Sequence, residues 1–367
     1  MQDDPYLRWL ISLELDISRV NRLLGHFGTA RAIFAYAHKR DARIEQKIAE
    51  SANRRHLEQA NSPGDFEFIS KDNPKFPDRL KKIPDSPAGI FVRGEIPKDF
   101  AKTPAVAIIG SRDNSLYGRQ VTQKLARDLA KVGIIVISGM ARGLDARAHN
   151  AAIEAGGQTL AILPSGIDIC YPVENSGLYR QIPAHGALIT EFPPGFRPRP
   201  WSFPARNRII SAMADILIVT EAGKKSGTFT TVNHALSQGK EVLSVPGGIL
   251  SPQSVGTNTL IKEGAGIITT YLDALVAIKN QSHLKEFFMP ENRAITAYFA
   301  DTTMEAKKLP LANDETLVYS CINYEPISIE FIVNKTGLGI AAINKILLEM
   351  ELNGRIKKLP GNKFIRN

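Results

Sequence analysis

What this chain has little of narrows its chemistry first. Its two cysteines, Cys170 and Cys321, lie far apart with no metal-ligand spacing around them, so neither a disulfide framework nor a zinc site is expected. A reducing cytoplasm is the expected compartment. No apolar run approaches the about 18 residues that mark a membrane span. The opening Met1-Gln2-Asp3-Asp4 lacks the basic and then apolar stretch of a signal peptide. No basic amphipathic helix of the kind that lies on lipid is found. The dinucleotide fingerprint G-x-G-x-x-G is missing, which counts against NAD, and no Gly-Lys pair is followed by Ser or Thr, which disfavours ATP hydrolysis. There is no G-x-S-x-G nucleophile elbow. His185 and His234 have no partner at metal-ligand spacing, and both read as ordinary packed or surface histidines. Asp145 and His149, four apart, would share a helix face, a spacing that suits an acid and base pair or an ordinary structural contact. No catalytic residue, metal or cofactor is therefore expected.

Acidic residues are missing from one stretch in particular. From Phe192 to Ala214 there is no carboxylate, while Arg197, Arg199, Arg206 and Arg208 interleave with Phe196, Trp201 and Phe203 and with several prolines. Guanidinium groups neutralise phosphates and flat rings offer stacking faces to unpaired bases, so this composition suits a single-stranded nucleic acid held along an extended backbone. The alternative is a proline-stiffened basic surface loop. The net charge of +9 points the same way, because it speaks to anionic partners and not to fold.

The 367 residues, 43% of them apolar, suffice for two or three domains that each bury a core. Residues 1–61 read as a small helical domain, with Leu7, Leu10, Leu13 and then Val20, Leu23, Leu24, Phe27 at helical spacing and a restart at Thr29 as N-cap. Residues 62–100 carry Ser62-Pro63-Gly64, Asn73-Pro74, Phe76-Pro77, Ile83-Pro84 and Ser86-Pro87 and read as an extended connector. From Ala105 onward short apolar runs alternate with amphipathic stretches: Ala105–Ile109, Ile134–Ile137, Thr159–Leu163, Ala187–Thr190, Ile216–Val219 and Glu241–Val245. Most are too apolar to have a wet face, the mark of parallel strands covered on both sides. The expected fold class is therefore α/β, a doubly wound, mostly parallel sheet over residues 62–290. A linker at 291–310 and a final domain at 311–367 follow. In that last domain two helical stripes, the turn Asn353-Gly354 and a hairpin around Pro360-Gly361-Asn362 form the winged-helix pattern, with Arg355, Lys357, Lys358 and Lys363 as its basic residues.

Ligands of such sheets sit in the loops at the carboxyl ends of the strands, where backbone N–H groups are offered to anions. The loops here are Gly110-Ser111-Arg112, Ser138-Gly139 through Gly143-Leu144-Asp145, Ser165-Gly166-Ile167-Asp168 and Gly223 to Thr228. Several phosphate cradles on one edge suit a chain of phosphates better than a single cofactor.

These residues, with Tyr117-Gly118, Ala148-His149, Tyr171-Pro172, Asn175, Glu191-Phe192-Pro193-Pro194-Gly195, Phe203-Pro204, Arg206-Asn207-Arg208, Ser226-Gly227-Thr228 and Val245-Pro246-Gly247, closely resemble the DNA-processing protein A (DprA, or Smf) family over about residues 65 to 275. The resemblance implies an extended Rossmann-like fold between a helical sterile-alpha-motif-like or helix-hairpin-helix-like domain and a winged helix. It implies a non-enzymatic binder of single-stranded DNA that protects incoming strands in natural transformation, helps load RecA recombinase and acts as a homodimer. Carried over by position, the DNA pocket falls on Gly110, Ser111, Arg112, Ser138, Gly139, Asn175, Arg206, Asn207, Arg208, Ser226, Gly227 and Thr228. Alternative readings are a Rossmann-type nucleotide hydrolase, suggested by Val245-Pro246-Gly247-Gly248 and the phosphate loops, and a duplex-binding winged-helix regulator.

Overall fold

Four short strands carry almost no polar side chain and are buried along their whole length: β3 (Ala105–Ile109), β4 (Ile135–Ser138), β5 (Thr159–Ile162) and β7 (Ile216–Val219). Branched apolar residues on both faces of a strand need cover on both sides, which only the interior of a helix-clad sheet supplies. In the computed structural model, which describes residues 4–39, 46–279 and 314–366 together with Leu284 and Phe287, that is where they lie. The expected linker at 291–310 falls outside the described residues, as does the start of the final domain near Leu311.

The sheet has nine strands in the order β1-β2-β6-β5-β4-β3-β7-β8-β9. The others are β1 (Glu67–Ser70), β2 (Gly89–Gly94), β6 (Gly186–Thr190), β8 (Glu241–Ser244) and β9 (Gly266–Ile267). From β6 to β9 every pairing is parallel, while β1 with β2 and β2 with β6 are antiparallel. The expected mostly parallel, doubly wound α/β sheet is therefore observed. Two strands correct the connector expected at 62–100: β1 and β2 form a hairpin whose residues hide among prolines and turns. Strand order runs outward from β3 to β6 and then returns to β7 on the other side of β3. The reversal makes the gap between the carboxyl ends of β3 and β7 the topological switch point of this sheet.

Helices α1 (Pro5–Ser12), α2 (Ile17–Phe27), α3 (Ala30–His38), α4 (Gln46–Ser51) and α5 (Arg54–Ala60) form the amino-terminal module. Thr29 caps α3 as expected, its hydroxyl accepting from the Ala32 N–H at 3.1 Å. Trp9 is fully buried and donates its indole N–H to the Ser51 carbonyl at 2.9 Å. The apolar residues of this module continue into Phe68, Phe91, Ala161, Leu163 and Leu188 of the sheet and its margins, so helices and sheet share one core. Further along come α6 (Asp78–Lys81), α7 (Leu116–Lys131), α8 (Leu144–Glu154), α9 (Ser176–Gln181), α10 (Ser202–Met213), α11 (Thr228–Ser237), α12 (Val255–Lys262) and α13 (Tyr271–Lys279).

The carboxyl-terminal unit has its own core of Val318, Ile332, Ile343, Leu347, Met350, Ile356 and Phe364. Its helices are α14 (Asp314–Cys321), α15 (Ile329–Thr336) and α16 (Ile340–Leu352), and its three-stranded sheet pairs β10 (Ile327–Ser328) and β11 (Ile356–Leu359) with β12 (Lys363–Arg366). Ser328 caps α15 and Gly337 ends it in the left-handed conformation, which glycine adopts without strain. This is the expected winged helix, with α14 and β10 added.

Candidate functional site

At the switch point the loops after β3 and β7, the start of α8 and the first turns of α10 and α11 enclose a cleft of about 440 Å³. Gly110, Ser111, Arg112, Arg206, Asn207, Ser226, Gly227 and Thr228 all line it, joined by Asp145 and Phe203. Gly139 lines a small adjoining hollow with Arg112, Tyr171 and Phe203. Ser138, Asn175 and Arg208 line neither.

The glycines serve packing before anything else. A Cβ on Gly110 would stand 2.5 Å from Leu144 Cδ1 and 2.9 Å from Thr220 Oγ1, so the bare backbone lets α8 close onto the strand end. Asp145, buried in the first turn of α8, lies near the backbone N–H groups of Gly110, Gly139 and Ala141, and the Ser111 N–H donates to the Glu221 carbonyl at 2.9 Å. Asp145 thus sets an internal carboxylate beside the loops after β3 and β4, at the helix end where the dipole favours negative charge. Burial pushes the Asp145 carboxyl above its ordinary range, opposed by Arg206 and those N–H groups. His149 does not serve as its base. The imidazole is fully buried, its Nδ1 lies 2.6 Å from Thr159 Oγ1, and burial pulls its pKa down to about 3.

The stretch that reads as extended from the sequence turns helical at Ser202. The Ser202 hydroxyl donates to the Arg199 carbonyl at 2.9 Å, and Pro204 sits in the first turn of α10, where a missing N–H costs nothing. The helix carries two of the expected DNA arginines inward. Arg206, 4% exposed, donates to the carbonyls of Gly139 and Ile162 and keeps Nε on Asn207 Oδ1 at 3.1 Å. Burial lowers its pKa to about 10, with Asp145 opposing the fall. Arg208, 3% exposed, forks onto both oxygens of Glu191 and reaches Asp85 Oδ2 at 2.9 Å. Burial works against its charge, but the two carboxylates outweigh burial and hold its pKa above the ordinary value. Ser138 is fully buried and donates to the Ile108 carbonyl at 2.7 Å, and the Asn175 amide donates to the Met140 carbonyl at 2.8 Å, pinning the loop after β4.

The aromatic residues divide in the same way. Phe192 and Phe196 stack on each other with centroids 4.5 Å apart and are buried, while Trp201 packs edge-on against both and remains about half exposed. Phe203 lies at the cleft with the Arg112 guanidinium 5.2 Å from its ring centre and Tyr171 on its edge at 5.6 Å. Arg112 itself is exposed. Across the cleft, Gly227 is the N-cap of α11 and a Cβ there would meet no atom within 4 Å, while Lys224 and Lys225 stand exposed in the loop before it. The Ser226 and Thr228 hydroxyls are 2.7 Å apart at this helix start. Sequence reasoning missed the pairing of Arg112 with Phe203. The signal was the aromatic residue inside a carboxylate-free stretch, but its partner lies far away in the chain.

Comparison with known proteins gives a consistent set. Residues 67–279 match the family model of DNA recombination-mediator protein A, and residues 302–362 match the DprA winged helix domain. Protein Smf of Synechocystis is 31% identical over 318 residues, which is 82% of this chain and 80% of that protein. The X-ray structure of DNA processing protein A from Streptococcus pneumoniae superposes with a TM-score of 0.67 at 30% identity, covering 77% of this chain and 100% of that one. DNA processing protein A from Helicobacter pylori, solved for its single-stranded DNA binding mode, gives a TM-score of 0.52 at 31% identity over 57% of this chain and 95% of that one.

Proposed function

The chain belongs to the DNA recombination-mediator protein A (DprA) family, and we propose that it binds single-stranded DNA without transforming it, seating the strand along the cleft between the carboxyl ends of β3 and β7. The observation that carries this reading is the exposed Arg112 guanidinium beside the Phe203 ring, facing the open start of α11. One wall offers a phosphate fork and a stacking face, and the other offers the bare backbone of Gly227 and the Ser226 hydroxyl, with Lys224 and Lys225 exposed in the loop before them. Backbone charge and base stacking together give tight binding with little sequence preference. The net charge of +9 adds long-range attraction for any polyanion, and the Helicobacter pylori relative was solved for that binding mode.

Within this reading the residues divide into two groups. Arg112, Phe203, Ser226, Gly227 and Thr228 touch the strand, with Ser111 and Asn207 at the margins. Arg206, Arg208, Ser138, Asn175 and the bare backbones of Gly110 and Gly139 shape the cleft from behind. The non-enzymatic part of the reading rests on His149, buried against the Thr159 hydroxyl and lacking a contact with Asp145 among the described residues. Protection of incoming strands, RecA recombinase as protein partner and a homodimeric state are proposed from the family resemblance. The exposed Lys357, Lys358 and Lys363 of the winged helix make it a second nucleic-acid contact in this proposal.

A salt-titrated comparison of one oligonucleotide as single strand and as duplex of equal length, on the full chain, tests the reading. Tighter binding to the single strand at every salt concentration is expected. Tighter binding to the duplex would instead favour a winged-helix regulator, and release of base or phosphate from a nucleotide panel would favour the hydrolase.

A further inference from the structure

A cavity larger than the cleft lies away from it in the sheet unit, at the opposite ends of the same helices. Asp215 and Lys240 on its wall immediately precede β7 and β8, and Ser237 ends α11. Its volume is about 890 Å³, twice that of the cleft, and Ile69, Phe76, Ile83, Val92, Ile96 and Phe100 give it an apolar lining. Pockets of this size and polarity are the usual places for small-molecule ligands, with a few charged groups fixing orientation.

The charges on this wall do not balance locally. Arg79, 7% exposed, consumes Asp215 at 3.1 Å, donates to the carbonyls of Met213 and Thr103, and lies over the Phe100 ring at 4.5 Å. Asp215 also accepts the Ala105 N–H at 2.8 Å. Of the other carboxylates, Glu67 pairs with Lys75 and Asp78 with Lys81, leaving Glu95 at the exposed rim. Lys98 is exposed at the same rim, and Lys82 and Lys240 remain; neither of their Nζ atoms makes a hydrogen bond or ion pair with the described residues. Burial lowers the Lys240 pKa, with Asp215 opposing and Arg79 and Lys82 adding to the fall. The Arg79 Nε is likewise buried with no hydrogen-bond partner among the described residues. Cations gathered around an apolar hollow, with their only nearby buried carboxylate already shared, are stabilised by a bound anion.

We propose that this cavity is a second ligand site, taking a small molecule with an apolar body and one anionic head group, the head held by Lys82 and Lys240 and the body against Phe76, Ile83 and Phe100. The proposal does not depend on the reading of the cleft, whose lining shares no residue with this cavity.

The test is calorimetric titration of the full chain with 2-naphthoate and with its neutral analogue 2-naphthylmethanol. One saturable site is expected, with the carboxylate bound about tenfold more tightly than the alcohol. Lys240→Gln and Lys82→Gln, made separately, should each shrink that preference while leaving alcohol binding, the unfolding midpoint and single-strand affinity unchanged. Absence of saturable binding, equal affinity for the two probes, or a preference that survives both substitutions in folded protein would overturn it.

Discussion

The guanidinium carbon of Arg112, in the loop after β3, lies 5.2 Å from the ring centre of Phe203 in the first turn of α10. The contact joins two segments about ninety residues apart at the mouth of the switch-point cleft. In an exposed setting such a pair stabilises by about 0.5–1 kcal/mol, too little to explain both residues as structural supports. Their joint position, a planar cation and a half-exposed ring side by side, is what a strand of alternating phosphates and bases requires.

Phe203→Ala should therefore weaken single-strand binding by about 1–3 kcal/mol, the range for loss of one base-stacking ring. The slope of log affinity against log salt should stay the same, since no charge is removed. Fluorescence anisotropy with a labelled oligonucleotide at several salt concentrations separates the two quantities.

Arg208 should behave differently from a DNA-contacting arginine. Arg208→Met leaves the Glu191 carboxylate, about 10% exposed, without its forked partner. Removing one member of a buried ion pair costs about 3–5 kcal/mol, so the unfolding midpoint in urea should fall sharply. The folded fraction should retain the wild-type salt slope.

Two glycines in the site should respond oppositely to alanine. A Cβ on Gly139 would lie 2.6 Å from Arg206 Nη1, and that guanidinium is already fixed on two carbonyls. Gly139→Ala is thus expected to destabilise by about 1–3 kcal/mol, as overpacking does. At Gly227 the added Cβ meets open space and φ is −62°, so Gly227→Ala should keep its stability. It should nevertheless lose single-strand affinity if the strand's backbone approaches α11 there. Thermal unfolding and binding, measured on both variants, check the pair.

His149 gives the protein an acid-sensitive core. Its folded pKa of about 3 lies below the ordinary 6.5, so the unfolded chain takes up a proton that the folded one refuses. The stabilisation is complete above pH 6.5 and is lost as pH falls toward 3. From pH 7 to pH 5 this residue should cost about 2 kcal/mol of stability. Urea unfolding at both pH values should show the gap between wild type and His149→Asn narrowing by that amount at pH 5.

Much of the architecture is legible along the chain because local rules decide it. Wholly apolar runs bounded by turn residues specified β3 and β7 to the residue, and Thr29, Ser328 and Gly337 marked helix ends by capping chemistry alone. Strands β1 and β2 escaped because proline-rich turns surround them and mask their pairing with each other. Helix α10 escaped for a related reason: the prolines before it continue into its first turn, where proline is tolerated. The site residues were legible as types but not as roles. Arginine is ordinarily exposed, and only Glu191 and Asp85, brought in by the fold, reveal why Arg208 is not. Similarly, the glycines of the first two loops stand out in the sequence, but Leu144 and Arg206, which need their missing side chains, are visible only in three dimensions.

The most direct test of the cleft as the strand's seat is the salt dependence of single-strand affinity in Arg112→Ala, measured beside wild type on the full chain. A strand lying over Arg112 predicts weaker binding to every sequence and a salt slope smaller by about 0.7, one phosphate's share for single strands. An unchanged affinity and an unchanged slope in folded Arg112→Ala would contradict it.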